Sequence, residues 1–207
     1  MKTDNHHQPE FWEANFKAKK EMWGSEPSLS AILAKDFFLK QGVKEVLIPG
    51  FGYGRNARVF SDAGLKVTGI EISQTAIDLA RKHYGSDVII HHGSVTEMPF
   101  DDRQYDGIFC YALIHLLDGD ERAKLIHDCY NQLKEGGYMI FTAISKTAEM
   151  YGKGKLLSKD RYELFAGLNM FFYDRDSIED EFGEAGLVEV SEVEKSYPLF
   201  FVRCWKG

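Results

Sequence analysis

Gly50-Phe51-Gly52-Tyr53-Gly54 follows directly on the apolar run Val46-Leu47-Ile48. Glycines at such a turn permit positive φ angles and let a ligand approach the backbone closely. The amides of the helix that follows then face that ligand. At the end of the next apolar run, in Thr68-Gly69-Ile70-Glu71-Ile72-Ser73, stands Glu71. A carboxylate in that place can accept hydrogen bonds from both hydroxyls of an adenosine ribose. A dinucleotide fingerprint would need GxGxxG, but here the third glycine comes one residue early and Arg55 follows it. A diphosphate needs exposed amides at the helix start, whereas a neutral ribose and an amino acid do not. His91-His92 is the tempting metal pair, yet adjacent strand residues point to opposite faces. No third ligand is suggested, so no metal site is expected.

These residues need elements to hold them. Phe11, Trp12 and Phe16, then Leu29, Ile32, Leu33 and Phe37, recur at helical spacing on either side of Met22-Trp23-Gly24-Ser25-Glu26-Pro27. From Lys44 the rhythm turns to strand then helix. Val46-Leu47-Ile48 leads through the glycine turn to a helix from Arg55 to Ala63. Val67-Thr68-Gly69-Ile70 leads to a helix capped by Ser73 and running to Tyr84. Val88-Ile89-Ile90, Gly107-Ile108-Phe109-Cys110 and Tyr138-Met139-Ile140-Phe141 continue the strands. Between the last two, a helix runs from Asp118 to Lys134, with Asp118 and Glu121 at capping-box spacing and Gly136-Gly137 as its stop. After a helix near Ser177 to Ala185, Val188–Val193 and Phe200–Trp205 lie too close together for a helical crossover and are expected to pair antiparallel. The fold class is therefore α/β: a Rossmann-like seven-stranded sheet, five parallel strands plus a C-terminal antiparallel hairpin, helices on both faces. Residues 1–42 read as a helical cap, 43–145 as the ligand-binding core, and 175–207 as the closing helix and hairpin. Lys146 to Asp174 shows no strand-helix logic and reads as an excursion over the strand ends on the acceptor side, with aromatic anchors.

The 207 residues fit one domain, and 44% apolar with 28% charged residues is a soluble globular balance. A formal charge of −7 argues against sequence-independent binding to nucleic acid or to an anionic membrane. Cys110, Cys129 and Cys204 form no CxxC pair and read as reduced thiols of a cytoplasmic protein. No signal peptide is visible in Met1–His7 and no apolar stretch reaches membrane length.

Taken in order, Val46–Gly54, Gly69–Ser73, His92–Phe100, Tyr105–Cys110 and Leu133–Tyr138 resemble the class I S-adenosylmethionine-dependent methyltransferases. The resemblance covers Val43 to Trp205. It implies that S-adenosylmethionine is the cofactor, with Gly50, Gly52 and Gly54 lining its methionine end and Glu71 holding the ribose. It also implies Ile72 on one face of adenine, Ser94 and Val95 at the adenine edge, and Cys110 with Tyr111 closing the pocket near the sulfonium. Two positions depart from the pattern: Ile48 stands where the family usually has an acid, and Ser94 where it usually has Asp. Leu47-Ile48-Pro49-Gly50 and Thr68-Gly69-Ile70-Glu71-Ile72-Ser73 look like thiopurine and thiol or halide methyltransferases, and Gly52-Tyr53-Gly54-Arg55-Asn56, with Trp23 upstream, is similar to tellurite-resistance methyltransferases. The resemblance thus implies a small-molecule acceptor, with thiols or chalcogens as examples.

Methyl transfer of that kind draws on proximity and alignment. A soft anionic acceptor needs no general base, whereas an oxygen or amine acceptor can use one. His115, just past the fourth strand, is the candidate base, with Tyr111 beside it. Trp12 and Trp23 are candidates to close over the cofactor. Two other readings stay open. A short-chain-type nicotinamide oxidoreductase draws on the Tyr-x-x-x-Lys matches Tyr130/Lys134 and Tyr151/Lys155, although Gly152 and Gly154 disfavour the helix that the second would need. A binding module without catalysis is the other. Oligomeric state is not legible.

Overall fold

The computed structural model describes residues 8–85, 88–165, 167–193 and 197–207; the Met1–His7 stretch examined for a signal peptide lies outside them. Two helices come first, α1 (Gln8–Lys19) and α2 (Leu29–Lys40). Ser28 starts α2, its hydroxyl oxygen accepting the Ala31 N–H at 3.1 Å. The alternating core follows as β1 (Glu45–Pro49), α3 (Arg58–Asp62), β2 (Lys66–Glu71), α4 (Gln74–Tyr84), β3 (Ile89–His92), β4 (Tyr105–Cys110), α5 (Gly119–Gln132) and β5 (Leu133–Ile144). A small unit, β6 (Lys155–Ser158), β7 (Arg161–Phe165) and β8 (Leu168–Phe171), precedes α6 (Arg175–Phe182), β9 (Leu187–Val193) and β10 (Leu199–Trp205).

The main sheet has the order β3-β2-β1-β4-β5-β10-β9. β1 to β5 are parallel, and β10 runs antiparallel to both β5 and β9, with Val202 opposite Phe141 and Val190. This is the five-plus-two arrangement expected from the patterning. Strand alternation sorts the core into two layers. Val46, Ile48, Phe109 and Phe201 pack with Phe38 of α2, Phe60 of α3 and Ala80 of α4. Leu47, Ile108, Cys110 and Val202 pack with Leu125 and Cys129 of α5 and Phe182 of α6.

Three expectations are corrected. The helix after the glycine turn begins at Arg58 rather than Arg55, because Gly50, Gly52 and Gly54 all hold positive φ and lengthen the turn. α5 ends at Gln132, before Gly136-Gly137, and the chain is already extended at Leu133. The terminating partner is remote in sequence: the Lys206 ammonium donates to the carbonyls of Tyr130 and Leu133, both at 3.0 Å, closing the helix end. The segment from Lys146 to Asp174, read as irregular, contains the three-stranded antiparallel sheet β6-β7-β8. Its strands are only four or five residues long, so alternation left little trace. One anchor holds it to the main sheet. Lys146 pairs with Asp160 at 2.8 Å and with Asp174, and the Tyr151 hydroxyl donates to Asp160 at 2.7 Å.

Candidate functional site

A cavity of about 980 Å³ opens over the carboxyl ends of β1, β2 and β4, between α1 and the small sheet. Its floor is the glycine turn. Gly50 has φ +72°, and a Cβ there would meet Leu113 at 3.1 Å. Gly52 has φ +59° and lines the cavity, and a Cβ there would meet nothing within 4 Å. Gly54 differs. Its φ is +87°, and a Cβ would come within 2.3 Å of the Tyr84 ring, whose hydroxyl donates to the Gly54 carbonyl. Gly54 is thus glycine for packing against α4 and does not line the cavity, contrary to the sequence expectation.

Glu71 ends β2 and is 6% exposed. Its Oε2 accepts the Gly52 N–H at 2.7 Å and its Oε1 the Ser73 N–H at 2.8 Å. One carboxylate therefore ties the glycine turn to the N-cap of α4. Burial pushes its pKa up, against the pull of those amide donors. Each oxygen retains a further lone-pair site for a ligand hydroxyl. Ile72, Ser94 and Val95 line the same end of the cavity. The Ser94 hydroxyl accepts the Thr96 N–H at 3.2 Å and sits 2.8 Å from the Thr96 hydroxyl, so it caps the one-turn helix Val95–Glu97.

The other expected positions separate along β4. Tyr111 lines the cavity, whereas Cys110 turns into the α5–α6 layer, wholly buried, with burial pushing its thiol pKa far up. Alternation along the strand makes this unavoidable, and the expectation that Cys110 closes the pocket is corrected. Beyond Tyr111, Ala112 holds φ +50°, a left-handed conformation costing a non-glycine residue about 1–2 kcal/mol. The Thr142 hydroxyl oxygen accepts its N–H at 2.8 Å. This held turn presents Tyr111 and Leu113 to the cavity on either side.

His115 also lines the cavity and is 1% exposed. Its Nδ1 accepts the Ile144 N–H at 3.2 Å, which leaves the ring proton on Nε2. Burial pushes its pKa down to about 3, so the ring is neutral at physiological pH. A neutral ring with Nδ1 engaged keeps its proton on Nε2 and can act there only as a hydrogen-bond donor. It is poorly suited to the general-base role that sequence suggested.

α1 forms the roof. Trp12, Phe16, Trp23 and Tyr53 make one aromatic group, with Trp23 stacked on Tyr53 at 6.2 Å and 10°. The Tyr53 hydroxyl donates to the Gly24 carbonyl at 2.7 Å and accepts the Trp23 N–H at 3.2 Å. Glu13 latches the roof to the core, accepting from the Ser73 hydroxyl at 2.6 Å, the Thr75 hydroxyl at 2.7 Å and the Thr75 N–H at 3.1 Å. These bonds, that from Ser73 foremost, hold its pKa down to about 2. Sequence reasoning missed Glu13, since a carboxylate capping a helix 60 residues away leaves no local signal. Arg55, 5.9 Å from the Tyr111 ring centre, was likewise missed as a cavity residue. Its guanidinium donates to the carbonyl of Glu26 at 3.1 Å and that of Trp23 at 3.4 Å. The adjacent histidines do diverge: His91 bonds Asp101 at 3.0 Å and His92 the Ile72 carbonyl at 3.1 Å.

Residues 47–141 match the model of the methyltransferase domain family. A tRNA N(3)-cytidine methyltransferase of Danio rerio is 25% identical over 77% of this chain and 51% of its own length. A ubiquinone biosynthesis O-methyltransferase of Alkalilimnicola ehrlichii is 27% identical over 52% of this chain and 44% of its own. The chain thus spans about half the length of the curated relatives it matches. Among solved structures, a magnesium protoporphyrin IX methyltransferase of Synechocystis with bound S-adenosylhomocysteine shares the fold at TM-score 0.75, with 14% identity over 99% of this chain and 100% of that one. The Burkholderia thailandensis 1,6-didemethyltoxoflavin-N1-methyltransferase, with that substrate and S-adenosylhomocysteine bound, gives TM-score 0.74, 16% identity, and coverage of 96% and 86%. Among the described residues no helix is long and apolar enough to cross a membrane. Domain match, strand order and a glycine floor joined to a buried strand-end carboxylate agree: residues 47–141 match a methyltransferase domain, and the chain has the fold of solved S-adenosylmethionine-dependent methyltransferases.

Proposed function

We propose that this chain moves the methyl group of S-adenosylmethionine onto a small-molecule acceptor held in the half of the cavity that faces the small sheet. The observation that carries the reading is the continuity of one cavity from Glu71 and the glycine floor, past Tyr111, to Leu116, Leu168 and Met170. When bound, the cofactor supplies a methyl carbon on positively charged sulfur; an acceptor lone pair forms the new bond while the carbon–sulfur pair returns to sulfur.

The chain's own residues place and enclose. Gly50 and Gly52 admit the methionine end, because a side chain at Gly52 would occupy the space it needs. Glu71 takes the ribose hydroxyls on its spare lone pairs, Ile72 covers an adenine face, and Ser94 and Val95 border the adenine edge. Tyr111 stands at the junction of the two halves. Trp12 from α1 and Trp23 from the turn after it cover the site and limit the access of water, which strengthens the polar contacts beneath them. His115 positions the acceptor by donating from Nε2; with no proton removed by it, the acceptor reacts through a lone pair it already carries. Placement of this kind contributes up to ~7–11 kcal/mol in well-oriented systems.

A small acceptor accords with the small molecules named for the toxoflavin methyltransferase and for the ubiquinone biosynthesis O-methyltransferase. The tRNA-modifying relative keeps a nucleic-acid acceptor in the test, against which the charge of −7 argues. The three cysteines are unpaired and buried, which suits a reducing compartment such as the cytoplasm. Calorimetric titration with S-adenosylhomocysteine, NADH and NADPH in parallel comes first. Micromolar binding of the homocysteine alone supports the reading, and binding of a nicotinamide cofactor alone overturns it. Labelled methyl transfer to small-molecule and tRNA pools then tests the acceptor class.

A further inference from the structure

We infer that Arg55 clamps the carboxylate of the cofactor's methionine end and, through the same guanidinium, ties the turn at residues 20–27 down over it. This rests on the methyltransferase reading and deepens it. Arg55 follows directly on the glycine turn and lines the cavity. Three neighbours fix where its guanidinium sits. Nη1 donates to the Glu26 carbonyl at 3.1 Å and to the Trp23 carbonyl at 3.4 Å. The guanidinium carbon stands 5.9 Å from the centre of the Tyr111 ring. Trp23 and Tyr111 both line the cavity, so the charge lies between two of its walls.

Carbonyl oxygens engage Nη1 but cancel no charge. Nε and Nη2 present the side of the fork that matches a planar carboxylate. The other charged residues of the lining are Lys19, Glu71, Glu97 and Glu121. Glu71 is bound to the Gly52 and Ser73 amides, and Glu97 accepts the Ser94 N–H, both toward the ribose and adenine end. Glu121 caps α5 and has the buried Arg161 as a charged neighbour. Lys19 is exposed at the end of α1. Of the two lining cations, Arg55 is therefore the one joined to the floor that admits the methionine end. It also belongs to a grip. The Tyr53 hydroxyl donates to the Gly24 carbonyl at 2.7 Å, and Asn56 Oδ1 accepts the Ser28 N–H at 2.9 Å. Arg55 is the charged member of that set. A carboxylate on Nε and Nη2 fixes the guanidinium plane, and with it the direction in which Nη1 holds the turn.

The test titrates the whole chain by calorimetry with S-adenosylhomocysteine and with its decarboxylated analogue, which keeps the ammonium. The unaltered chain should prefer the homocysteine about 10- to 150-fold, the size of a hydrogen bond to a charged group. Arg55→Gln keeps amide donors for the carbonyls; it should bring the preference below about threefold and leave the analogue's affinity within about threefold. Arg55→Lys should retain part of the preference, and Lys19→Ala all of it. With each ligand at saturation, tryptic cleavage after Lys19 and Lys20 should be slowed more by the homocysteine than by the analogue. Equal weakening of both ligands by Arg55→Gln, loss of the preference in Lys19→Ala, or equal protection by the two ligands overturns this inference alone. Failure of the unaltered chain to bind the homocysteine overturns the methyltransferase reading and this inference with it.

Discussion

Replacing Glu71 by alanine separates two jobs that one carboxylate performs. In the structure its oxygens hold the Gly52 and Ser73 amides at 2.7 and 2.8 Å, and the side chain is buried. Removing it leaves two buried N–H groups unpaired at about 1–3 kcal/mol each. At roughly 2–4 °C per kcal/mol for a chain of this size, the melting temperature should fall by roughly 4–24 °C. Hydrogen bonds from a ribose to a charged acceptor are worth about 1.5–3 kcal/mol, so the affinity for S-adenosylhomocysteine should fall roughly 10- to 150-fold. A fall in affinity alone would not distinguish contact from collapse of the glycine turn. The decisive assay is therefore a cycle, in which both proteins are titrated calorimetrically with S-adenosylhomocysteine and with its 2′-deoxy analogue. The unaltered chain should discriminate against the deoxy ligand, and Glu71→Ala should scarcely discriminate at all. Equal discrimination by both proteins would show that Glu71 only braces the turn, and the ribose assignment would fail.

Gly54→Ala, with its Cβ driven to 2.3 Å from the Tyr84 ring, should lose about 2–5 kcal/mol of stability, whereas Gly52→Ala should lose only about 1–2 kcal/mol but bind S-adenosylhomocysteine at least about tenfold more weakly. Similar melting temperatures for the two variants would contradict the different surroundings found for these glycines. His115 has a folded pKa of about 3 against an unfolded value of about 6.5, so the unfolded chain takes up the extra proton first. Its contribution to stability is complete above pH 6.5 and should shrink by about 1.4 kcal/mol per unit as pH falls toward 3. Urea unfolding of the unaltered chain and of His115→Asn at pH 7, 5 and 4 measures this; parallel acid limbs would refute it. Glu13→Ala should free α1 from Ser73 and Thr75, speeding proteolysis within residues 8–19 and the dissociation of S-adenosylhomocysteine. Unchanged protection of α1 would show that the aromatic contacts alone hold the roof.

The parts legible in the sequence are those written in short-range patterns. Apolar runs separated by helical periodicity announced the parallel strands, and the short connection between Val193 and Leu199 forced the antiparallel pair. Gly50, Gly52 and Glu71 were found because a turn that needs positive φ and a carboxylate that ends a strand are marked by residue type and spacing. Ser73 as the cap of α4 and Asp118 with Glu121 as the capping box of α5 were local for the same reason. Tertiary structure decided everything that depends on what a residue meets far along the chain. Gly54 and Gly52 are alike in sequence, and only the approach of Tyr84 separates a packing glycine from a cavity glycine. Cys110 and Tyr111 are neighbours, yet the pleat of β4 sends one into the core and the other to the site. His115 became a neutral donor because the Ile144 amide reached its Nδ1 and burial removed the water that would stabilise its charge. Glu13 joined the site through α4, and Lys206 ended α5, across spans no local pattern can encode. Local conformational preference is a property of a few adjacent residues. Burial, tautomer and the company a side chain keeps are set by packing.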